Sequence, residues 1–236
     1  MKTSRRVATV AVGAIAAICL TACGGVGGAV AQVGGVSISK AAVEHWARVE
    51  AVLSYEVIPR KPVPKGVVPD PPEYTACIAF LRAGSLPIAS GGTNPTPAQL
   101  KRRCEQEQAE LKRKGQGYLI AFQWLSGELA DRHINISEAE VQKAYDYFKR
   151  KEFTGNQFRD YLAYTGMSLA DVRFIIKDTV LSTRLQKYVI SKAGMTPEQQ
   201  RQALASFTRK WTAKTSCRTG YLVAGCKQYK GSETPP

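Results

Sequence analysis

The sequence predicts a mainly α-helical domain with a short N-terminal strand and a small, disulfide-clipped C-terminal β-ribbon. Three observations carry that expectation. Helix-start signatures recur: Thr96-Pro97-Ala98-Gln99, Ser137-Glu138-Ala139-Glu140 and Thr196-Pro197-Glu198-Gln199 each place a hydroxyl three residues before a side chain that can reach back to its N–H. Apolar residues follow these starts at helical spacing, as in Tyr118, Phe122, Leu125 and Leu129. Extended-chain patterning is expected only near the two ends, over residues 30–37 and 214–229.

Taken in order, the chain opens on an export signal. Lys2, Arg5 and Arg6 precede an apolar run over residues 7–22 that is short for a membrane span. The run ends in Leu20-Thr21-Ala22-Cys23, which resembles the bacterial lipobox. That resemblance implies cleavage after residue 22 and a lipidated Cys23, holding the protein on the extracytoplasmic face of the cell membrane; several acyl chains make a firm anchor. The competing reading is an ordinary secretory signal, with Cys23 an odd thiol. Residues 23–32 read as a lipidated, Gly-rich tether, and residues 33–230 as the folded domain.

Within the domain, Gly34-Gly35 marks a turn and Ser39 an N-cap. A helix over residues 40–56 carries Val43, Trp46, Val49 and Leu53 on one face. Six prolines between residues 58 and 72 exclude a helix interior and predict an extended loop. A short helix is expected over residues 72–83, with proline in its first turn, and a Ser/Gly-rich loop over residues 85–94. The helix opened by Thr96 should reach about Arg132, with its middle weakened by Gly115 and Gly117, about 1 kcal/mol each relative to Ala, which leaves room for a bend there. Further helices are expected after Ser137, over residues 156–164, from Ser168 to about residue 191, and from Thr196 to about Trp211. Residues 214–229 read as a two-strand ribbon, and residues 231–236 as a disordered tail.

Composition narrows the class. A hydrophobic fraction of 44% and a charged fraction of 22% suit a globular protein with a buried core. The formal net charge of +14 falls to +11 once Lys2, Arg5 and Arg6 leave with the signal. Such a surplus favours anionic lipid or polymer, or acidic partners, and the export signal argues against nucleic acid. Of six cysteines, Cys19 leaves with the signal and Cys23 goes to lipid. Cys77, Cys104, Cys217 and Cys226 remain, an even number in an exported chain. Three pairings exist; Cys77–Cys104 and Cys217–Cys226 are preferred because each links neighbouring elements through a modest loop. No C-x₂-C spacing or nearby His supports zinc. No phosphate loop, His-x-x-x-His pair or nucleophile elbow occurs, and His45 and His133 are isolated. No cofactor, metal or catalytic residue is therefore expected.

Two stretches resemble the SurA and PrsA class of extracytoplasmic chaperones. Residues 33–40 resemble the opening strand, turn and Ile-Ser helix cap of that family, with Gly34 in place of its usual Asn. Ile-x-Ile-Ser-x-x-Glu-Val at 134–141, Phe-x-x-x-Leu-x-x-Thr-Gly-Met-Ser at 158–168 and Asp-Val-Arg at 171–173 resemble its helical continuation. The resemblance implies a SurA N-terminal-like helical domain that binds unfolded or nascent exported proteins without ATP. Full-length members carry a parvulin-type prolyl isomerase domain; here residues 189–196 fill that interval, so isomerase activity is not expected to carry over. Trp46, Tyr118, Phe122 and Tyr145 are the candidates for a client-binding cradle. The alternatives are an isomerase-related foldase and an envelope lipoprotein that holds an anionic partner.

Overall fold

A computed structural model describes residues 28–84 and 94–231. The signal segment with its lipobox, Cys23, the start of the tether, most of the loop over residues 85–94 and the tail beyond residue 231 lie outside the described residues. The architecture is mainly helical: seven α-helices surround a three-stranded antiparallel sheet of order β2-β1-β3.

The chain enters as a hairpin. Strand β1 (Ala29–Val33) pairs with β2 (Val36–Ser39), and Gly34 and Gly35 between them have φ of +54° and +93°. Two positive-φ residues are what a tight hairpin turn asks of the backbone, and glycine meets that need without strain. Ala29 to Gln32 thus belong to the sheet, not to the tether that the sequence suggested. Strand β3 (Thr215–Cys217) pairs with the other edge of β1. The expected C-terminal ribbon is therefore corrected: β3 pairs with the N-terminal strand, since a lone two-strand ribbon is marginal in water and β1 offers a buried partner. Val30 and Val33 are each 1% exposed. The outer edge of β3 is closed by Lys227, which donates to the Thr215 carbonyl, and by the Gln228 amide, which exchanges two hydrogen bonds with Cys217.

Helix α1 (Lys40–Tyr55) is capped by Ser39 Oγ, which accepts from the Ala42 N–H. Helix α2 (Thr75–Ala83) starts three residues later than the sequence suggested. Asp70, not proline, supplies the cap: its carboxylate accepts from the N–H groups of Ala76 and Cys77 at 2.9 and 3.0 Å. Helix α3 (Pro97–Asp131) runs continuously through both glycines. Gly115 is a packing site, since a Cβ there would lie 2.7 Å from the Ala47 nitrogen of α1. The Cys77–Cys104 disulfide staples α2 to α3.

Helices α4 (Glu138–Glu152), α5 (Gln157–Thr165) and α6 (Leu169–Leu185) follow, and α6 ends in one wider π turn, Gln186–Ile190. The capping boxes at Thr96, Ser137, Ser168 and Thr196 are all formed. Helix α7 (Pro197–Ala213) returns the chain to the sheet. The main core joins the sheet to α1, α3 and α6, with Trp46, Tyr118, Phe122 and Phe174 in ring contact. Aromatic pairs of this kind add about 0.5–1.5 kcal/mol each beyond their burial.

One polar group is set into this apolar body. Glu128 on α3 is 1% exposed and accepts from Arg132 Nε, Lys210 Nζ and Trp211 Nε1, each at 2.7 Å. Burial alone would push its carboxyl up. The bonds from Lys210, Trp211 and Arg132 outweigh that and hold it below the usual carboxylate range. A Cβ at Gly127 would meet the Trp211 ring at 2.0 Å, so the preceding glycine admits the indole that Glu128 holds.

Candidate functional site

The middle of α3 turns one face outward. Gly117, Ile120, Ala121 and Trp124 stand at i, i+3, i+4 and i+7 and form a shallow apolar floor. Small side chains at two of these four positions leave room above the helix. Nothing lies within 4 Å of where a Gly117 Cβ would sit. Facing this floor is a wall, residues 222–225, that follows β3. Between them lies an open cleft of about 650 Å³, completed by Thr208 of α7 and by Tyr229. That volume falls in the range of ligand-binding clefts.

The wall is held by three attachments. Cys217–Cys226 closes its loop covalently. Gln116, 2% exposed on α3, donates its amide to the Tyr221 carbonyl at 2.7 Å. A Cβ at Gly225 would stand 2.9 Å from Ile120 Cγ2, so a larger residue would lift the wall from the floor. Trp124 is fixed from below, where its Nε1 donates to Thr215 Oγ1 at 2.8 Å and that hydroxyl donates to the Trp211 carbonyl. The floor is therefore rigid and apolar, with its one indole N–H already satisfied.

Three charged residues edge the cleft: Glu110, Arg113 and Lys114. Arg113 engages Glu110 through Nε and Nη2, at 3.0 and 2.5 Å. Lys114 is exposed and has no carboxylate within 4.0 Å among the described residues.

The four aromatic candidates from the sequence lie elsewhere. Trp46 and Phe122 are core residues, 6% and 8% exposed. Tyr118 packs against Trp46 with ring centroids 4.8 Å apart, and its hydroxyl is buried with no hydrogen-bond partner among the described residues. Burial, then the nearby charges of Asp178 and Glu50, push that phenol far up. Burial also pushes the Asp178 carboxyl up to about 6. Tyr145 is half-buried beside Phe158, under the Arg173 guanidinium. The structure thus brings Trp46, Tyr118 and Phe122 together around Phe174 as packing, away from Tyr145 and from the cleft.

His45 is not isolated. Its Nε2 lies 2.7 Å from Asp171 Oδ1. Asp171 also closes the α6 capping box, accepting from the N–H and hydroxyl of Ser168. The pair ties α1 to the start of α6, and each carboxylate oxygen already has a partner. His133 follows α3 with φ of +57°, a turn residue. Among the described residues no group of three or more His, Cys, Asp or Glu side chains is placed to hold a metal, and no helix is long and apolar enough to cross a membrane.

Sequence reasoning missed Trp124, Leu222, Val223, Tyr229 and Lys114. The available signal was Gly117 and Ala121 on the same helix face as Trp124, a dip beside an aromatic. No family model, curated protein or solved structure matches this chain.

Proposed function

We propose that the protein is a lipid-anchored extracytoplasmic chaperone, holding extended segments of unfolded exported proteins without ATP. The cleft between α3 and residues 222–225 carries this reading: it is open, has an apolar floor and offers no catalytic constellation. Two disulfides in the fold agree with an exported protein. The charged start, short apolar run and lipobox of the sequence support an anchor at Cys23, and the resemblance to the SurA and PrsA class suggests the client, an unfolded chain. Residues 191–196 join the end of the π turn to α7, where that family inserts its isomerase domain, so the reading includes no isomerase step.

Gly117→Leu tests it. The substitution adds a side chain where space is open, and it replaces glycine in a helix interior, which favours the helix by up to about 1 kcal/mol. The variant should therefore fold at least as stably as the parent yet suppress aggregation of an unfolded test protein less well. Undiminished suppression would remove the cleft from the mechanism. Absence of suppression by the parent protein would end the chaperone reading and favour an envelope lipoprotein that holds one anionic partner.

A further inference from the structure

We infer that the cleft prefers extended segments in which carboxylates accompany apolar side chains; this deepens the client-binding reading and rests on it. Length comes first. From Glu110 to Trp124 the lining spans fifteen residues of α3, about 21 Å of helix. About six residues of extended chain cover the same distance. Backbone comes second. The N–H and C=O groups of Leu222, Ala224 and Gly225 have no protein partner among the described residues, so this turn, closed by the Cys226 N–H donating to the Val223 carbonyl, keeps peptide groups free to bond. An extended segment answers both, bonding its own backbone to the wall and laying alternate side chains on the floor.

Charge sets the preference. Glu110 is the single acidic residue lining the cleft, and Arg113 occupies it. Lys114 is left as an unpaired cation at the rim. The charge of Lys114 also reaches Glu50, which lies outside the lining. Among the described lining residues, two cations, Arg113 and Lys114, thus stand against one carboxylate, Glu110. A segment bearing Asp or Glu gains attraction at the rim, and one bearing Lys meets repulsion. The net charge of +11 left once Lys2, Arg5 and Arg6 are removed acts in the same direction at longer range.

The test uses the signal-free protein and three end-blocked peptides of about ten residues, long enough to span the cleft when extended. The peptides share their apolar positions and differ at two others, which are Asp, Asn or Lys. Calorimetric titration at low salt should rank them Asp, Asn, Lys, with Asp about ten-fold tighter than Lys, a scale set by one or two exposed ion pairs. Lys114→Glu should narrow or reverse that ranking with the fold intact by circular dichroism. At about 1 M salt, where the screening length is about 3 Å, the three affinities should converge on a shared apolar remainder. Equal binding of the Asp and Lys peptides, or a ranking untouched by Lys114→Glu, overturns the charge preference. Binding of none of the peptides by a protein that still suppresses aggregation overturns the assignment to this cleft and leaves the chaperone reading standing. Failure to suppress aggregation removes that reading itself.

Discussion

Glu128→Gln removes one charge from the interior while keeping the side chain's shape, and its cost can be worked from the geometry. The carboxylate accepts three bonds of 2.7 Å, from Lys210 and Trp211 on one oxygen and from Arg132 on the other. Glutamine has one accepting oxygen. Turned toward Lys210 and Trp211, it places its NH₂ against Arg132 Nε–H, and that half-exposed arginine must swing into solvent. The Arg132 bond is lost outright, and the Lys210 and Trp211 bonds each lose the acceptor's charge, with a charge-assisted bond worth about 1.5–3 kcal/mol at most. Lys210 keeps Asp131 at 2.9 Å, which softens the loss. The expected cost is about 3 kcal/mol at neutral pH, or a fall in Tm of about 6–12 °C for a domain of this size. The carboxyl's native value lies below the unfolded one, so its contribution is complete above about pH 4.3 and is lost as pH falls through the native value. Urea unfolding of parent and variant should therefore differ most near pH 7 and converge in acid. A difference below about 0.5 kcal/mol at pH 7, within the range of ordinary surface substitutions, or one that does not change with pH, would refute the reasoning. Because Glu128 holds Trp211 and α7, the variant should also bind client peptides more weakly.

Tyr118→Phe removes a buried hydroxyl without a partner, so urea stability should stay level or rise by about 1 kcal/mol; a clear loss would reveal an unseen bond. Asp178→Asn should stabilise the protein at pH 8 and change little near pH 4: burial pushes the native carboxyl up to about 6, above its unfolded value, so the parent loses stability as pH rises through that range. A pH-independent effect on unfolding would count against this. Replacing Cys217 and Cys226 together by Ser opens a short loop and should cost about 2.5 kcal/mol, with client holding falling further than stability alone explains. Cys23→Ala should abolish fatty-acid labelling and release the protein from the membrane; labelling that survives would sink the anchor.

The helices were legible because their signals are local. Thr96, Ser137, Ser168 and Thr196 each satisfy an N–H three residues on, and no distant contact is needed to make that bond. Both cysteine pairings were legible for a related reason, since each joins elements close in sequence. What failed was long-range. The partner of β3 is β1, at the other end of the chain, and alternation within residues 215–217 carries no address for it. Gly115 reads as a hinge by propensity, but its role is set by the Ala47 backbone against it. Asp70 caps a helix that starts five residues later, a spacing no local signature describes. The aromatic stripe of α3 marked a buried face without saying that Phe174 would cover it. The face of that helix that lines the cleft was the less apolar one, interrupted by Gly117.

The pairing of β3 with β1 bears on function as well as on fold. Ala31 of β1 pairs with Cys217, and Cys217 is bonded to Cys226 beside the cleft wall. The wall is thus fastened through one ladder and one disulfide to the first strand of the domain. With lipid on Cys23, as proposed, five residues separate the anchor from Ala29, a reach of at most about 20 Å even when fully extended. Under that proposal the strand that holds the wall is also the first described element after the anchor. An emerging chain presents short extended segments there before it has a core of its own, and a cleft sized for about six extended residues matches what such a chain can offer.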